Sequence, residues 1–106
     1  LDSALMYGDD VQVAVGDATK ALPRDRFFVT SKVPCCPAAF TKWCEWYKAE
    51  YNPLSTSQYA KIDARLLGLE IVDLMLLHWP CESFADTLAA YRSLEDFAIA
   101  GKARAI

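Results

Sequence analysis

The stretch IVDLMLLHWP, from Ile71 to Pro80, decides the fold class of this chain. From Glu70 to Leu77 nearly every position is apolar, and apolar and polar residues do not alternate, which predicts a strand covered on both faces. Strands of this kind belong to parallel sheets, whose neighbouring strands are joined by crossover helices. The stretch therefore predicts a parallel α/β arrangement with helices before and after it.

Helices are indeed predicted on both sides of this strand. Upstream, a helix runs from an N-cap at Ser57 to Gly68, which suits a left-handed C-terminal cap. Downstream, Ser83 begins a capping-box pattern, and apolar residues follow at helical spacing as far as Gly101. Residues Ala103 to Ile106 then begin another strand.

The first part of the chain adds one more helix and one more strand. Asp10 to Leu22 has helical periodicity and ends at Pro23, and Phe27 to Lys32 is an aromatic and β-branched run typical of a strand. From Pro34 to Pro53 the rhythm breaks, which predicts a loop or a short helix. The alternation of helices and strands predicts βαβ units and a parallel α/β fold. The apolar stripe of the first helix comprises Val11, Val15, Ala18 and Leu22.

Length and composition indicate a soluble globular chain with at most one domain in 106 residues. Hydrophobic residues make up 54% and charged residues 24%, which excludes a disordered tail. The net charge of -3 is spread without blocks, so no basic face for nucleic acid or lipid is expected.

No apolar run approaches the ~20 residues of a membrane span. Because the chain starts at Leu1 without a basic, apolar leader, we expect no signal peptide and interpret it as a piece of a longer polypeptide.

The cysteines favour neither a disulfide scaffold nor a metal site. Cys35, Cys36, Cys44 and Cys81 are too few for a stapled secreted domain, so we expect reduced thiols in a cytosolic protein. Adjacent Cys35 and Cys36 do not easily face one ion, and the single histidine, His78, has no partner at ligand spacing. We therefore predict no metal site.

Ionisable side chains follow two consecutive predicted strands, Lys32 after the first and His78 after the second. In parallel α/β folds the C-terminal ends of strands meet at the edge where functional sites lie. Taken singly, Lys32 suits a solvated loop residue, His78 a packed side chain and Tyr7 an ordinary half-buried tyrosine. Together they predict a site at this edge, but their spacing does not indicate its chemistry.

Several short motifs occur in a characteristic order. Asp2-Ser3-Ala4 is followed by Tyr7-Gly8, Phe28 to Lys32 is a strand that ends in lysine, and Leu67 to Pro80 contains a strand that ends in His78. These segments, with Gly101 to Ile106 after them, resemble the motifs of the aldo-keto reductases, which begin with D-(S/T)-A-x-x-Y-G. The resemblance covers nearly the whole chain, and only Pro34 to Pro53 departs from it.

The resemblance implies the fold more closely than periodicity does. Aldo-keto reductases are (β/α)8 barrels of the TIM type, in which parallel strands alternate with helices, and such barrels take roughly 250 residues. Residues 1–106 would then be a fragment of a single barrel domain, covering about the end of strand 2 to the start of strand 5.

The resemblance also implies an NADPH-dependent oxidoreductase that reduces an aldehyde or ketone to an alcohol. Tyr7 would be the general acid, Lys32 would assist it, Asp2 would hold Lys32, and His78 would bind the carbonyl oxygen. Asp2 and Tyr7 would contact the nicotinamide end of the cofactor, and Tyr7, His78 and Trp79 would line the substrate site. The expected partner is a small carbonyl compound in the cytoplasm, without nucleic acid or membrane. The isolated fragment is expected to be inactive, because the remaining cofactor site lies outside it.

Two other interpretations compete with this one. A non-enzymatic subunit of the potassium-channel β-subunit type would keep the barrel and nucleotide but act through a partner, and the complete set of four site residues argues against it. Trp43 and Trp46 suit a docking patch, a substrate lining or simple packing. A redox module built on Cys35 and Cys36 is disfavoured because vicinal cysteines lack C-x-x-C spacing. The carbonyl substrate, the preference for NADPH over NADH and the oligomeric state stay open.

Overall fold

Strands and helices alternate along the chain as the sequence predicts. The computed structural model describes residues 1–35 and 55–106, so the predictions for Cys36, Trp43, Cys44 and Trp46 lie outside the described residues. Short 3-10 turns occur at Leu5–Tyr7 and Arg24–Arg26. The regular elements are α1 (Asp9–Lys20), β1 (Thr30–Val33), α2 (Thr56–Leu66), β2 (Val72–Leu77), α3 (Phe84–Ile99) and β3 (Ala103–Ala105).

The strands of the described residues form a parallel sheet in the order β1, β2, β3. Lys32 of β1 lies opposite Leu76 of β2, so both strands end at the same edge. Asp2 forms a parallel bridge with Thr30 on the other side of β1. The predicted parallel α/β fold is therefore confirmed. The buried core comprises Leu5, Val33, Tyr59, Ala60, Ala64, Val72, Met75, Leu94, Phe97 and Ala103.

Strand β1 begins later than the predicted Phe27, and a buried carboxylate explains why. The Val29 N–H donates to Asp73 Oδ2 at 2.8 Å instead of to a strand neighbour. Arg24 Nη2 donates to the same oxygen at 2.7 Å, and Arg104 Nε lies 3.3 Å from Asp73 Oδ1. Burial raises the pKa of Asp73, but the Val29 hydrogen bond and the two guanidinium groups together lower it by more. The net shift of the pKa is therefore downward. Asp73 thus ties the start of β2 to the loop before β1.

The helix ends agree with the predicted capping residues except at one position. Ser83 Oγ accepts from the Asp86 N–H at 3.1 Å and caps α3 as predicted. Gly68 follows α2 with φ +63°, the left-handed conformation expected of it. The predicted cap at Ser57 is wrong: α2 begins earlier, and the Ser55 N–H donates to Gln58 Oε1 at 2.8 Å.

Helix α1 buries a face that its apolar stripe does not predict. Gln12, Gly16 and Thr19 are buried, whereas Val11 is 38% exposed. The reason is a close approach to the end of α2: a Cβ added at Gly16 would lie 2.5 Å from the Leu67 carbonyl oxygen. Only glycine permits this contact, and it turns the side of α1 that carries Gln12 inward.

Candidate functional site

The structure brings Asp2, Tyr7, Lys32 and His78 together at the edge where β1 and β2 end. Lys32 lies in β1, and His78 directly follows β2, where its N–H donates to the Val33 carbonyl at 2.8 Å. Asp2 is held by its bridge beside β1, and Tyr7 ends the first 3-10 turn. Parallel pairing of the strands therefore places all of the sequence-predicted polar residues at one edge.

The Lys32 ammonium is the electrostatic centre of this cluster. Its Nζ donates to Asp2 Oδ1 and, at 2.9 Å, to the Ser3 carbonyl oxygen. Its side chain is only 16% exposed, whereas that of Asp2 is 67% exposed. Burial lowers the pKa of Lys32, but Asp2 and, less strongly, Tyr7 outweigh burial, and the net pKa is raised. Lys32 therefore carries a firmly held positive charge at neutral pH.

The aromatic side chains of the site form a chain of ring contacts. Lys32 Nζ lies 5.5 Å from the centroid of the Tyr7 ring. The Tyr7 and His78 rings meet edge to face, with centroids 5.9 Å apart and planes at 79°. The Trp79 ring lies 4.5 Å from that of His78. Tyr7 is 53% exposed, so this aromatic edge is open to small molecules.

His78 is uncharged at neutral pH. Burial lowers the pKa of its imidazole, the Lys32 charge lowers it further, and Asp2 opposes both only in part. Its Nδ1 is buried and has no hydrogen-bond partner among residues 1–35 and 55–106. A neutral imidazole has one donor and one acceptor nitrogen, so His78 can bind a carbonyl oxygen without transferring a charge to it.

A disulfide between Cys35 and Cys81 lies beside this site, which corrects the prediction of reduced thiols for this pair. Cys35 follows Lys32 closely and Cys81 follows His78 closely, so the disulfide joins the segments that leave β1 and β2. Their Cα atoms lie 5.4 Å apart although the residues are separated by 46 positions in the sequence. The sequence analysis missed this pairing because neither strand register nor proximity is visible in cysteine spacing.

Two kinds of feature are absent from the described residues. Among them, no three His, Cys, Asp or Glu side chains are grouped as metal ligands. No helix in the same ranges has the length and apolarity needed to cross a membrane.

The sequence analysis also missed two buried polar residues behind the site, Gln12 in α1 and Asp63 in α2. Both have no exposed surface, and Gln12 Nε2 donates to Asp63 Oδ1. The available signal was the position of Asp63 between Ile62 and Ala64 on a predicted helix, where a charged residue needs a buried partner.

An ammonium, a phenol, an imidazole and a carboxylate at the C-terminal edge of a parallel α/β sheet define a site of the kind found on (β/α)8 barrels. The sequence model of the Aldo/keto reductase family matches residues 1–106, and the chain belongs to this family. The fold matches part of the TIM barrel of aldo-keto reductase structures.

Individual relatives agree with the family assignment. The chain is 28% identical over 106 residues to morphine 6-dehydrogenase of Pseudomonas putida, of which it covers 31%. It is 32% identical over 94 residues (89% of the chain) to an aldo-keto reductase of Mycobacterium marinum, of which it covers 29%.

Solved structures are similar over nearly the whole chain. An aldo-keto reductase from a Medee basin deep-sea metagenome library matches 97% of the chain and 33% of its own, with TM-score 0.70 and 28% identity. An aldo-keto reductase from Klebsiella pneumoniae in complex with NADPH matches 97% of the chain and 31% of its own, with TM-score 0.67 and 25% identity. The chain therefore spans about a third of the length of the relatives it matches.

Proposed function

We propose that the natural polypeptide is an NADPH-dependent oxidoreductase that reduces an aldehyde or ketone to an alcohol. By natural polypeptide we mean the longest natural chain that contains these residues. The observation that carries this proposal is the convergence of Asp2, Tyr7, Lys32 and His78 at the ends of β1 and β2. Membership of the Aldo/keto reductase family and the NADPH complex of the Klebsiella pneumoniae relative support it.

The chemistry of the site suits the reactive end of NADPH. Tyr7 is half exposed and the Asp2 side chain is 67% exposed, so both can contact a bound molecule. The rings of His78 and Trp79 beside them offer an aromatic surface to a flat, uncharged nicotinamide. In this proposal Asp2 and Tyr7 hold the nicotinamide end. NADPH, when bound, supplies the hydride.

Tyr7 is the proton donor to the carbonyl oxygen in the proposed reaction. Giving up the proton leaves a phenolate, and the Lys32 ammonium 5.5 Å from the ring centroid stabilises that negative charge. The bonds from Lys32 Nζ to Asp2 and to the Ser3 carbonyl fix the direction of the ammonium. Asp2 therefore acts through Lys32, and Lys32 acts through Tyr7.

His78 binds and orients the carbonyl oxygen in the proposed reaction. Its imidazole is neutral at pH 7 and lies against the Tyr7 ring, so a carbonyl oxygen held by His78 is also near the Tyr7 hydroxyl. Trp79 packs on His78 and lines the substrate site. The substrate in this proposal is a small carbonyl compound.

We also propose that residues 1–106 are one part of a single barrel domain and are inactive by themselves. The described strands are fewer than the eight that close a barrel. Calorimetric titration of the 106-residue chain with NADPH should give no binding in the micromolar range. Micromolar affinity would contradict this part of the proposal.

The decisive test follows the absorbance of NADPH with a reactive aromatic aldehyde and compares the wild-type natural polypeptide with Tyr7→Phe. We expect a clear wild-type rate and almost none in the variant, while the affinity for NADPH stays nearly unchanged. Tyr91→Phe is the matched control, because Tyr91 is partly exposed on α3 away from the site. Equal turnover in Tyr7→Phe would refute the role of Tyr7. Binding of NADPH without any turnover in the wild type would favour either the channel β-subunit type of function or a very narrow substrate range.

A further inference from the structure

Four buried polar residues form a hydrogen-bonded cluster behind the proposed site. We call Ser3, Gln12, Ser31 and Asp63 the buried amide cluster, because the Gln12 amide is its centre. Each member is at most 1% exposed. They come from four different parts of the chain: the segment before the first 3-10 turn, α1, β1 and α2. The cluster therefore attaches α1, which contributes no residue to the apolar core, to elements that the core already joins.

Hydrogen bonds fix the orientation of the Gln12 amide. Its Oε1 accepts from the Ser3 hydroxyl, and its Nε2 donates to Ser31 Oγ at 3.1 Å and to Asp63 Oδ1. Burial raises the pKa of Asp63 to about 6, although the neighbouring Ser31 and Gln12 oppose the rise. At neutral pH Asp63 is therefore mainly a carboxylate, which can only accept. It holds the Nε2 side of Gln12 toward α2 and leaves Oε1 for Ser3.

The cluster is directly connected to three of the four site residues. Ser3 follows Asp2 in the sequence, and its carbonyl oxygen accepts from Lys32 Nζ at 2.9 Å. Ser31 precedes Lys32 in β1. The Gln12 N–H donates at 3.1 Å to the carbonyl of Gly8, which follows Tyr7. A displacement of Gln12 would therefore reach the backbone beside Asp2, Lys32 and Tyr7.

Burial of so many polar groups needs a reason, because a well-packed apolar core is at least as stable. The hydrogen bonds of Gln12 to Ser3, Ser31 and Asp63, in contrast to apolar packing, define one arrangement of the segments that they join. Asp63 Oδ2 is buried without a hydrogen-bond partner among residues 1–35 and 55–106, so the carboxylate depends on Gln12 for its position. In this chain the joined segments are those that carry the Asp2–Lys32 ion pair and Tyr7.

We propose that Gln12 and Asp63 are positioning residues that set the geometry of the Asp2–Lys32 pair beside Tyr7. This inference rests on the proposed reductase function, which makes that geometry important for proton donation. Neither residue touches the substrate, and both act through Ser3 and Ser31.

The test compares one disruptive and one compensating change in the natural polypeptide. Gln12→Met keeps the length of the side chain but leaves Ser3, Ser31 and Asp63 without the amide. Gln12→Glu combined with Asp63→Asn reverses the direction of the hydrogen bond between positions 12 and 63. The amide at position 63 then donates to the carboxylate at position 12, and the hydroxyls of Ser3 and Ser31 can also donate to that carboxylate. Leu94→Ala is the control for lost stability, since Leu94 is a fully buried core residue of α3 outside the cluster.

We expect Gln12→Met to lower kcat by about 10-fold to 100-fold, the size of effect that small displacements in a reacting site cause, with much less change in KM. The paired substitution should restore kcat to near the wild-type value, and Leu94→Ala should keep it. A wild-type kcat in folded Gln12→Met would overturn the inference. If Gln12→Met does not fold, a folded but inactive paired variant would overturn it as well.

A second readout separates this inference from the proposed function. The charges of Lys32 and Asp2 both act on the pKa of His78, so the imidazole reports where this pair lies. Its titration, followed by NMR, should move in Gln12→Met, return in the paired variant and stay unchanged in Leu94→Ala. An unchanged His78 titration in Gln12→Met would refute the positioning role even if the wild type proved to have no reductase activity.

Discussion

Replacement of Lys32 by methionine tests the electrostatic core of the proposed mechanism. The substitution keeps the apolar stem and removes the ammonium, which lies 5.5 Å from the Tyr7 ring centroid. At an effective dielectric constant of about 20, unit charges at this distance interact by about 3 kcal/mol. Because Tyr7 is 53% exposed, solvent screening reduces this value, and we take about 2 kcal/mol as the lower bound. Since each 1.36 kcal/mol is tenfold in rate, about 2 to 3 kcal/mol corresponds to a loss of about 30-fold to 160-fold in kcat for Lys32→Met.

The assay measures the rate of aldehyde reduction by the natural polypeptide at saturating NADPH. The rate is recorded at pH values from about 6 to about 9, the range around neutrality in which proton donors of enzymes act. Lys20→Met is the matched control, because Lys20 is an exposed residue of α1 that pairs with Asp17. We expect the loss for Lys32 alone. A wild-type kcat in Lys32→Met, together with an inactive Tyr7→Phe, would show that Tyr7 donates its proton without help from this ammonium.

Three predictions concern the stability of the fold and are checked by the midpoint of urea unfolding. Asp73→Asn should destabilise by about 2 kcal/mol, less than a fully buried pair because its arginine partners are partly exposed. The pKa of Asp73 is lowered in the folded state. Its stabilising effect is therefore present above the unfolded-state pKa and is lost as the pH falls through the folded-state pKa. The difference in free energy of unfolding between wild type and Asp73→Asn should accordingly shrink in acid. Gly16→Ala should destabilise by about 1 to 3 kcal/mol despite the better helix propensity of alanine, because the added Cβ meets the Leu67 backbone; an unchanged midpoint would contradict that contact. Cys81→Ser should lower the free energy of unfolding by about 4 kcal/mol, because the bond to Cys35 closes a loop across 46 positions. Equal unfolding midpoints of the wild type with and without a dithiol would contradict this pairing.

Much of the fold could be predicted because its signals are local. The apolar run before His78 predicted a buried parallel strand, and β2 pairs in parallel on both sides. Gly68 and Ser83 predicted helix ends through conformational and hydrogen-bonding preferences that depend on neighbouring residues alone. The family resemblance and the barrel fold are confirmed. The roles of the site residues stay predictions, although the structure brings those residues together.

Errors occurred where a distant segment outweighed the local pattern. The apolar stripe of α1 predicted the wrong buried face, because a helix turns toward whatever neighbour its small residues allow, and Gly16 allows the backbone at Leu67. Strand β1 begins late because the Asp73 carboxylate takes the N–H of Val29. In both cases the partner lies far along the chain, so no window of neighbouring residues contains the information.

The sequence by itself determined the order of helices and strands, the family and the types of residue at the site, since each depends on neighbours or on motifs. Only the tertiary structure decided that Gln12 meets Asp63 and that Cys35 meets Cys81. Such contacts arise when parallel strands and the helix between them bring distant segments into register. Burial then changes the pKa of ionisable groups. Asp63 is removed from water and given hydrogen-bond donors, and its raised pKa cannot be read from its position in the sequence.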